Sequence, residues 1–216
     1  MQDVGTMEQL SADVIRRGLV ATAAALHAQG RNPSIVVVGG AISTMYLHSR
    51  PQTHDVDFMY ETKARNEDVT RIVAASERVR HRMPGVSPGW LNNHTTVYMT
   101  EDTVRLVYAE AMEQDIVVFR APGLTVYAAP WRYALLCKLD RWPKHGSPPY
   151  DMKDAVRYRL EQLNKIRIGA DMDPPTESVL KSWAAEYKLE PPSDRVLKVL
   201  KARYRKKYRT DGIIEG

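Results

Sequence analysis

The chain has 216 residues, 44% of them hydrophobic and 26% charged, and its 31 Lys and Arg against 26 Asp and Glu give a net charge of +5. This composition is average for globular domains, so it excludes a wholly disordered, collagen-like or coiled-coil chain, and the length admits one or two domains. The excess charge is local: Lys201, Arg203, Arg205, Lys206, Lys207 and Arg209 fall within nine residues that hold no acid, and the other 25 bases face 26 acids.

Thr6 and Gln9 offer a capping box for a first helix in which Leu10, Val14, Leu19, Ala23 and Leu26 recur at helical spacing as far as Gly30. Residues 35–38 are a short β-branched run that reads as a strand buried on both faces, ended by Gly39 and Gly40. Residues 41–48 leave room for about two helical turns. A second strand is predicted over 55–60, where Val56, Phe58 and Tyr60 alternate with Asp55, Asp57 and Met59, so the two aspartates share a face. Asn66 can cap a helix to about Arg82, and residues 84–93 read as a loop. Residues 95–99 read as a strand, 101–113 as a helix, and 116–119 with 124–128 as a strand pair turned at Pro122 and Gly123. Pro130 suits the first turn of a helix to about Arg141, and residues 142–150 form a loop. Further helices are predicted over 151–165, 176–187 and 193–208, separated by proline pairs. The expected fold class is α/β (α+β): a small mixed sheet flanked by helices over residues 1–128, then a helical region over 129–216 that ends in a basic helix.

The first eight residues lack the basic and apolar stretches of a signal peptide, and no apolar run approaches the roughly 18 residues that span a bilayer. The single cysteine, Cys137, follows Ala134, Leu135 and Leu136 and reads as a buried helical thiol rather than a nucleophile. These features lead us to expect a cytoplasmic protein without a membrane partner.

The chemistry is concentrated in one stretch. A glycine pair leaving a buried strand lets the backbone approach a ligand, and the helix that follows points N–H groups at an anion, with the Ser43 hydroxyl beside them. Asp55 and Asp57 present hard oxygen ligands side by side, which suits Mg²⁺ at about 2.0–2.1 Å, or Mn²⁺ in its place. Two such ions about 3.5–4 Å apart would activate a hydroxyl and steady a leaving pyrophosphate. Each element alone is also common as plain structure; their order and spacing together point to phosphate chemistry. No Gly-Lys-Ser/Thr and no third glycine follows Gly40, which excludes Walker and Rossmann loops here. Lys138 and Arg141 lie one helical turn apart, either facing one anion or forming a surface charge pair beside Asp140.

Val36-Val37-Val38-Gly39-Gly40-Ala41-Ile42-Ser43 and Thr53-His54-Asp55-Val56-Asp57-Phe58 resemble the nucleotidyltransferase superfamily of DNA polymerase beta-like proteins. Leu135-Leu136-Cys137-Lys138-Leu139 and Tyr150-Asp151-Met152-Lys153-Asp154 are similar to its AbiEii-type branch, which includes toxins of bacterial toxin–antitoxin and abortive-infection systems. The overall spelling also looks like fungal members of the superfamily. The resemblance implies that Gly39, Gly40 and Ser43 hold nucleotide phosphates and that Asp55 and Asp57 bind the metal. It also implies that Lys138 meets the triphosphate and that Asp151 or Asp154 is the late acidic residue. The branch usually carries Arg-x-Thr-x-Asp-x-Asp; here Arg50 lies one residue further from Thr53, with Pro51 in its expected place. A third metal carboxylate is expected on a later strand, and Asp115, at the head of the 116–119 strand, is the best placed.

In the last helix, bases interleave with Tyr204 and Tyr208, an arrangement that either grips RNA and stacks on its bases or is a solvated last turn. Trp131, Trp142 and Tyr150 could stack on a nucleotide base or fill the interior. The expected activity is metal-dependent transfer of a nucleoside monophosphate from a triphosphate to a hydroxyl of RNA, protein or a small molecule. The alternative is a catalytically weak nucleotide- or RNA-binding protein.

Overall fold

Ile35, Val36 and Val37 are almost fully buried because the strand that carries them, β2 (Ser34–Val37), has neighbours on both edges and cover on both faces. The computed structural model describes residues 9–63, 66–142, 150–169 and 174–214; side chains 160 and 162–169 are outside the description. The chain divides into two compact units, Met1–Ala129 and Pro130–Gly216. Helix outweighs strand, 55% against 14%, because strands are confined to the first unit apart from one isolated bridge.

The first unit runs β1 (Leu10–Ser11), α1 (Ala12–His27), β2, α2 (Gly40–Met45), β3 (Gln52–Thr53), β4 (Val56–Met59), α3 (Glu67–Arg80), β5 (Leu91–Asn92), a 3₁₀ turn (His94–Tyr98), α4 (Glu101–Gln114), β6 (Val117–Ala121) and β7 (Leu124–Ala128). The mixed five-stranded sheet has the order β5-β4-β2-β7-β6. Strands β2 and β4 are antiparallel, as are β6 and β7, while β2/β7 and β4/β5 are parallel. Strands β1 and β3 form a separate antiparallel pair. Trp90 ties β4 to the body: its carbonyl accepts the Val56 N–H at 2.6 Å and its indole N–H donates to the Ser76 carbonyl at 3.2 Å. The second unit consists of α5 (Trp131–Arg141), α6 (Tyr150–Gly169), α7 (Glu177–Glu186) and α8 (Asp194–Tyr208).

Local sequence chemistry explains the helix starts. Asn66, Thr100, Thr176 and Ser193 each accept a backbone N–H of the first turn, a contribution of about 1 kcal/mol per cap. The first helix starts later than its periodicity implied. Ser11 caps it by accepting the Val14 N–H at 3.3 Å, Leu10 pairs with Thr53 in β1/β3, and Thr6 lies outside the described residues. The strand expected over 95–99 is instead the 3₁₀ turn. Asn92 Oδ1 accepts the His94 N–H at 3.0 Å, and the Thr96 hydroxyl donates to the Asn93 carbonyl at 2.8 Å. These local bonds give the backbone an alternative to a ladder. Most of the loop expected over 142–150 lies outside the described residues.

Candidate functional site

The β2–β4 ladder sets the geometry. Val37 pairs with Phe58, and the Val38 N–H donates to the Asp57 carbonyl at 3.0 Å, so β2 ends in Gly39 and Gly40 alongside the Asp55–Asp57 end of β4. Val56 and Phe58 are fully buried while Asp55 and Asp57 are half-buried, which puts the two carboxylates on the open side of the strand. That side closes one step on, because Met59, expected to share it, is fully buried.

Gly39 adopts φ 66° and ψ −128°, and no atom lies within 4 Å of the position a side chain would take there. Gly40 is the reverse case: a methyl group would overlap the Arg50 guanidinium and the Thr53 hydroxyl. Arg50 reaches this place because residues 46–50 fold back, with the Leu47 N–H on the Ile42 carbonyl at 3.0 Å and the Ser49 N–H on the Ser43 carbonyl at 2.9 Å. One guanidinium nitrogen then donates to Thr53 Oγ1 at 3.1 Å. The additional residue between Arg50 and Thr53 therefore does not carry the cation away from the glycine turn. Helix α2 has six residues, fewer than two turns, so its dipole adds little and the positive charge at the turn is that of Arg50. Ser43 is fully buried and its hydroxyl donates to the Gly39 carbonyl at 3.4 Å, so it braces the turn from inside.

The sheet does not bring Asp115 to this place. Asp115 is the C-cap of α4, in the left-handed conformation at φ 52° that aspartate tolerates better than most residues. Strand β6, which follows it, is the outermost strand, with β7 and β2 between it and β4. At about 4.8 Å per strand that is roughly 14 Å away. The strand that does flank β4 places Asn92 opposite Asp57, and its amide is engaged locally, donating to the Gly89 carbonyl at 3.1 Å. Among the described residues no group of three or more His, Cys, Asp or Glu assembles. The Asp55–Asp57 pair could supply two carboxylates to one hard cation, with water and substrate oxygens as its other ligands rather than an all-protein cage.

In the second unit, Lys138, Asp151 and Asp154 form a buried cluster. Lys138 Nζ lies 2.8 Å from Asp151 Oδ1 and 3.1 Å from Asp154 Oδ2, with exposures of 3%, 0% and 0%. Arg141, half-exposed, closes the cluster with Nε donating to Asp151 Oδ2 at 2.7 Å. Burial pushes the Asp151 carboxyl up, but hydrogen bonds from Arg141 and Lys138 and their charges outweigh it and hold it below the usual carboxylate range. The anion that Lys138 and Arg141 face together is Asp151. Cys137 is half-buried, and burial raises its thiol to about 11, which leaves it inert at neutral pH.

Trp131 is buried, its ring 5.9 Å from that of Tyr158, and fills the interior of this unit. Tyr150 lies under Lys138, with Nζ 5.9 Å from its ring, and Trp142 caps α5. Along α8 the expected alternation of bases and rings is only half available. Arg203, Arg205, Lys206, Lys207 and Arg209 are exposed, but Tyr204 is 2% exposed and packs face-on against Gly212, so its ring cannot stack on a base. No helix among the described residues is long and apolar enough to cross a membrane. A scan of protein-family models and searches of curated proteins and of solved structures found no match to the chain.

Proposed function

We propose that the protein is a metal-dependent nucleotidyltransferase, moving a nucleoside monophosphate from a nucleoside triphosphate onto a hydroxyl of RNA, protein or a small molecule. The observation that carries this reading is the register of β2 on β4, which gathers the glycine turn with its Arg50 guanidinium and the two half-buried aspartates at one end of the sheet. Asp55 and Asp57 would hold Mg²⁺ or Mn²⁺, which when bound supplies Lewis acidity to phosphoryl oxygens. The open space at Gly39 lets a phosphate approach the backbone, and the planar guanidinium of Arg50 suits its oxygens. Lys138, whose charge is already answered by Asp151 and Asp154, holds its own unit together in this reading rather than meeting the triphosphate.

The test is release of pyrophosphate and label transfer from each of the four triphosphates with Mg²⁺ or Mn²⁺. Asp55→Ala combined with Asp57→Ala should reduce transfer to background, and transfer that survives it would overturn the proposal. A second reading, a nucleotide-binding protein of the same fold that turns over poorly, is favoured by the amide of Asn92 where β5 flanks Asp57 and by the distant Asp115. It is distinguished by triphosphate binding without pyrophosphate release.

A further inference from the structure

We propose that the cavity between α8 and residues 211–214 binds a nucleoside phosphate unit, either a free nucleotide or one nucleotide of a single-stranded RNA. The cavity has a volume of about 450 Å³, inside the range of about 300–1,000 Å³ typical of small-ligand sites. One wall is cationic and comes from α8. Lys198, Lys201 and Arg205 follow one another at spacings of three and four residues, so they share one side of the helix and all line the cavity. Asp211 lines it with them, and Glu177 pairs with Lys201, so three bases stand against two acids and the wall keeps a positive charge. The other wall is apolar, made by Ile213 and Ile214, and Ala202 of α8 also lines the cavity. A ligand that satisfies both walls carries anionic oxygens at one end and a flat apolar group at the other, as a nucleoside phosphate does.

The walls are held in place before any ligand arrives. Arg205 Nε donates to Asp211 Oδ1 at 2.7 Å, which fixes the plane of the guanidinium, and Lys201 Nζ is steered by Glu177 at 2.8 Å. Ile214 bridges to Thr176, and its N–H donates to the Pro175 carbonyl at 3.3 Å. Between the two isoleucines and Asp211, Gly212 lies flat on the Tyr204 ring, and its carbonyl accepts Nε of the fully buried Arg159. A preorganised cationic wall loses less on binding than a mobile one. The other exposed bases of α8 raise the potential around the entrance and favour an anion. The proposal does not rest on the transfer reaction, and none of these residues belongs to the Asp55–Asp57 site.

The test measures anisotropy of labelled AMP and of a labelled single-stranded oligouridylate on the full chain. Ala202→Phe, at an exposed helical position that lines the cavity, fills part of it without changing charge; unchanged far-UV circular dichroism verifies its fold. It should weaken AMP, RNA or both by about tenfold or more, and Lys198→Glu should do the same. Loss of AMP binding identifies a free nucleotide as the ligand; loss of RNA binding alone assigns the nucleotide to a strand. Lys206→Ala with Lys207→Ala, bases of α8 outside the cavity, should weaken binding less than Lys198→Glu does and reduce its salt dependence. The chain carrying Asp55→Ala and Asp57→Ala should keep the response to Ala202→Phe, which separates this site from the transfer site. The proposal is overturned if Ala202→Phe changes neither probe. It is also overturned if the Lys206, Lys207 variant weakens binding as much as Lys198→Glu, or if inorganic phosphate competes as well as AMP.

Discussion

At Gly39 the backbone occupies φ 66° and ψ −128°, a region that residues with a side chain enter only under strain, while at Gly40 the obstacle is space. The two glycines therefore fail differently. Gly39→Ala should cost roughly 1–3 kcal/mol through the backbone, and no second substitution at Arg50 should relieve it. Gly40→Ala drives a methyl into the Arg50 guanidinium and the Thr53 hydroxyl, an overpacking that costs about 1–3 kcal/mol. Arg50 is the flexible partner and Thr53, 5% exposed on β3, the rigid one. Adding Arg50→Ala to Gly40→Ala should then recover part, and not all, of the loss in urea unfolding. If the double variant is no more stable than Gly40→Ala alone, the close approach of Arg50 is not what makes this position glycine. The Gly-Gly-to-Asp-x-Asp pattern was legible in the sequence because it depends on chain order alone. The seat of Arg50 was not, since it depends on residues 46–50 folding back, and a spacing rule had placed the arginine one residue too far away.

At the scale of elements, strong local chemistry carried from sequence to structure, the hairpin of β6 and β7 turned at Pro122 and Gly123 included, and long-range strand order did not. The caps at Asn66, Thr100, Thr176 and Ser193 rest on side chains within three residues of the N–H they accept; Asn66 was named from the sequence, and the helix starts expected at 101, 176 and 193 lie at or next to the other three. The run 95–99 misled because Val97 and Tyr98 favour strands by type. They are 66% and 91% exposed, however, and nothing covers them to reward a strand over the Asn-anchored turn. Asp115 misled for a related reason: strand order is a tertiary property, and only the sheet places β6 at the edge far from β4. Helices α5 and α6 carry the clearest energetic prediction. Lys138 Nζ lies within 4.0 Å of both Asp151 and Asp154, and all three residues are buried. Lys138→Met would remove the cation that two buried carboxylates share, for a loss of about 3–5 kcal/mol. Arg141→Ala removes a half-exposed partner of Asp151 and should cost less, about 1–2 kcal/mol. Urea midpoints of the two variants decide it: equal losses, or a Lys138→Met loss below about 1 kcal/mol, would mean that the cluster is not a buried one.

For the whole molecule, net charge pointed at the tail, yet the groups that couple stability to protons are acids spread through both units. Asp151 in the second unit is held below its ordinary range as described. In the first unit, burial raises Glu77, but the Gly89 N–H and Arg80 outweigh it and lower its carboxyl overall. Hydrogen bonding and charge from Arg71 lower Glu67, and the Thr62 hydroxyl with Arg105 lowers Glu101. Each of these groups binds its proton more weakly folded than unfolded. Their contribution is thus complete above the unfolded values of about 3.9 for Asp and 4.3 for Glu, and is lost as pH falls through the lower folded values. Arg159 likewise binds its proton more weakly when folded, since burial lowers it to about 9, but for a cation this is a penalty, and it is constant below that pH and does not shape the acid limb. The urea midpoint should therefore be nearly level from about pH 8 to pH 5 and should fall below about pH 4. Glu77→Gln should be less stable than the parent at pH 7, because a neutral amide keeps less of the interaction with Arg80, and should show a shallower fall between pH 5 and pH 3. A midpoint that rises on acidification, or a Glu77→Gln limb as steep as that of the parent, would show that these carboxylates are not the groups whose protonation unfolds the protein.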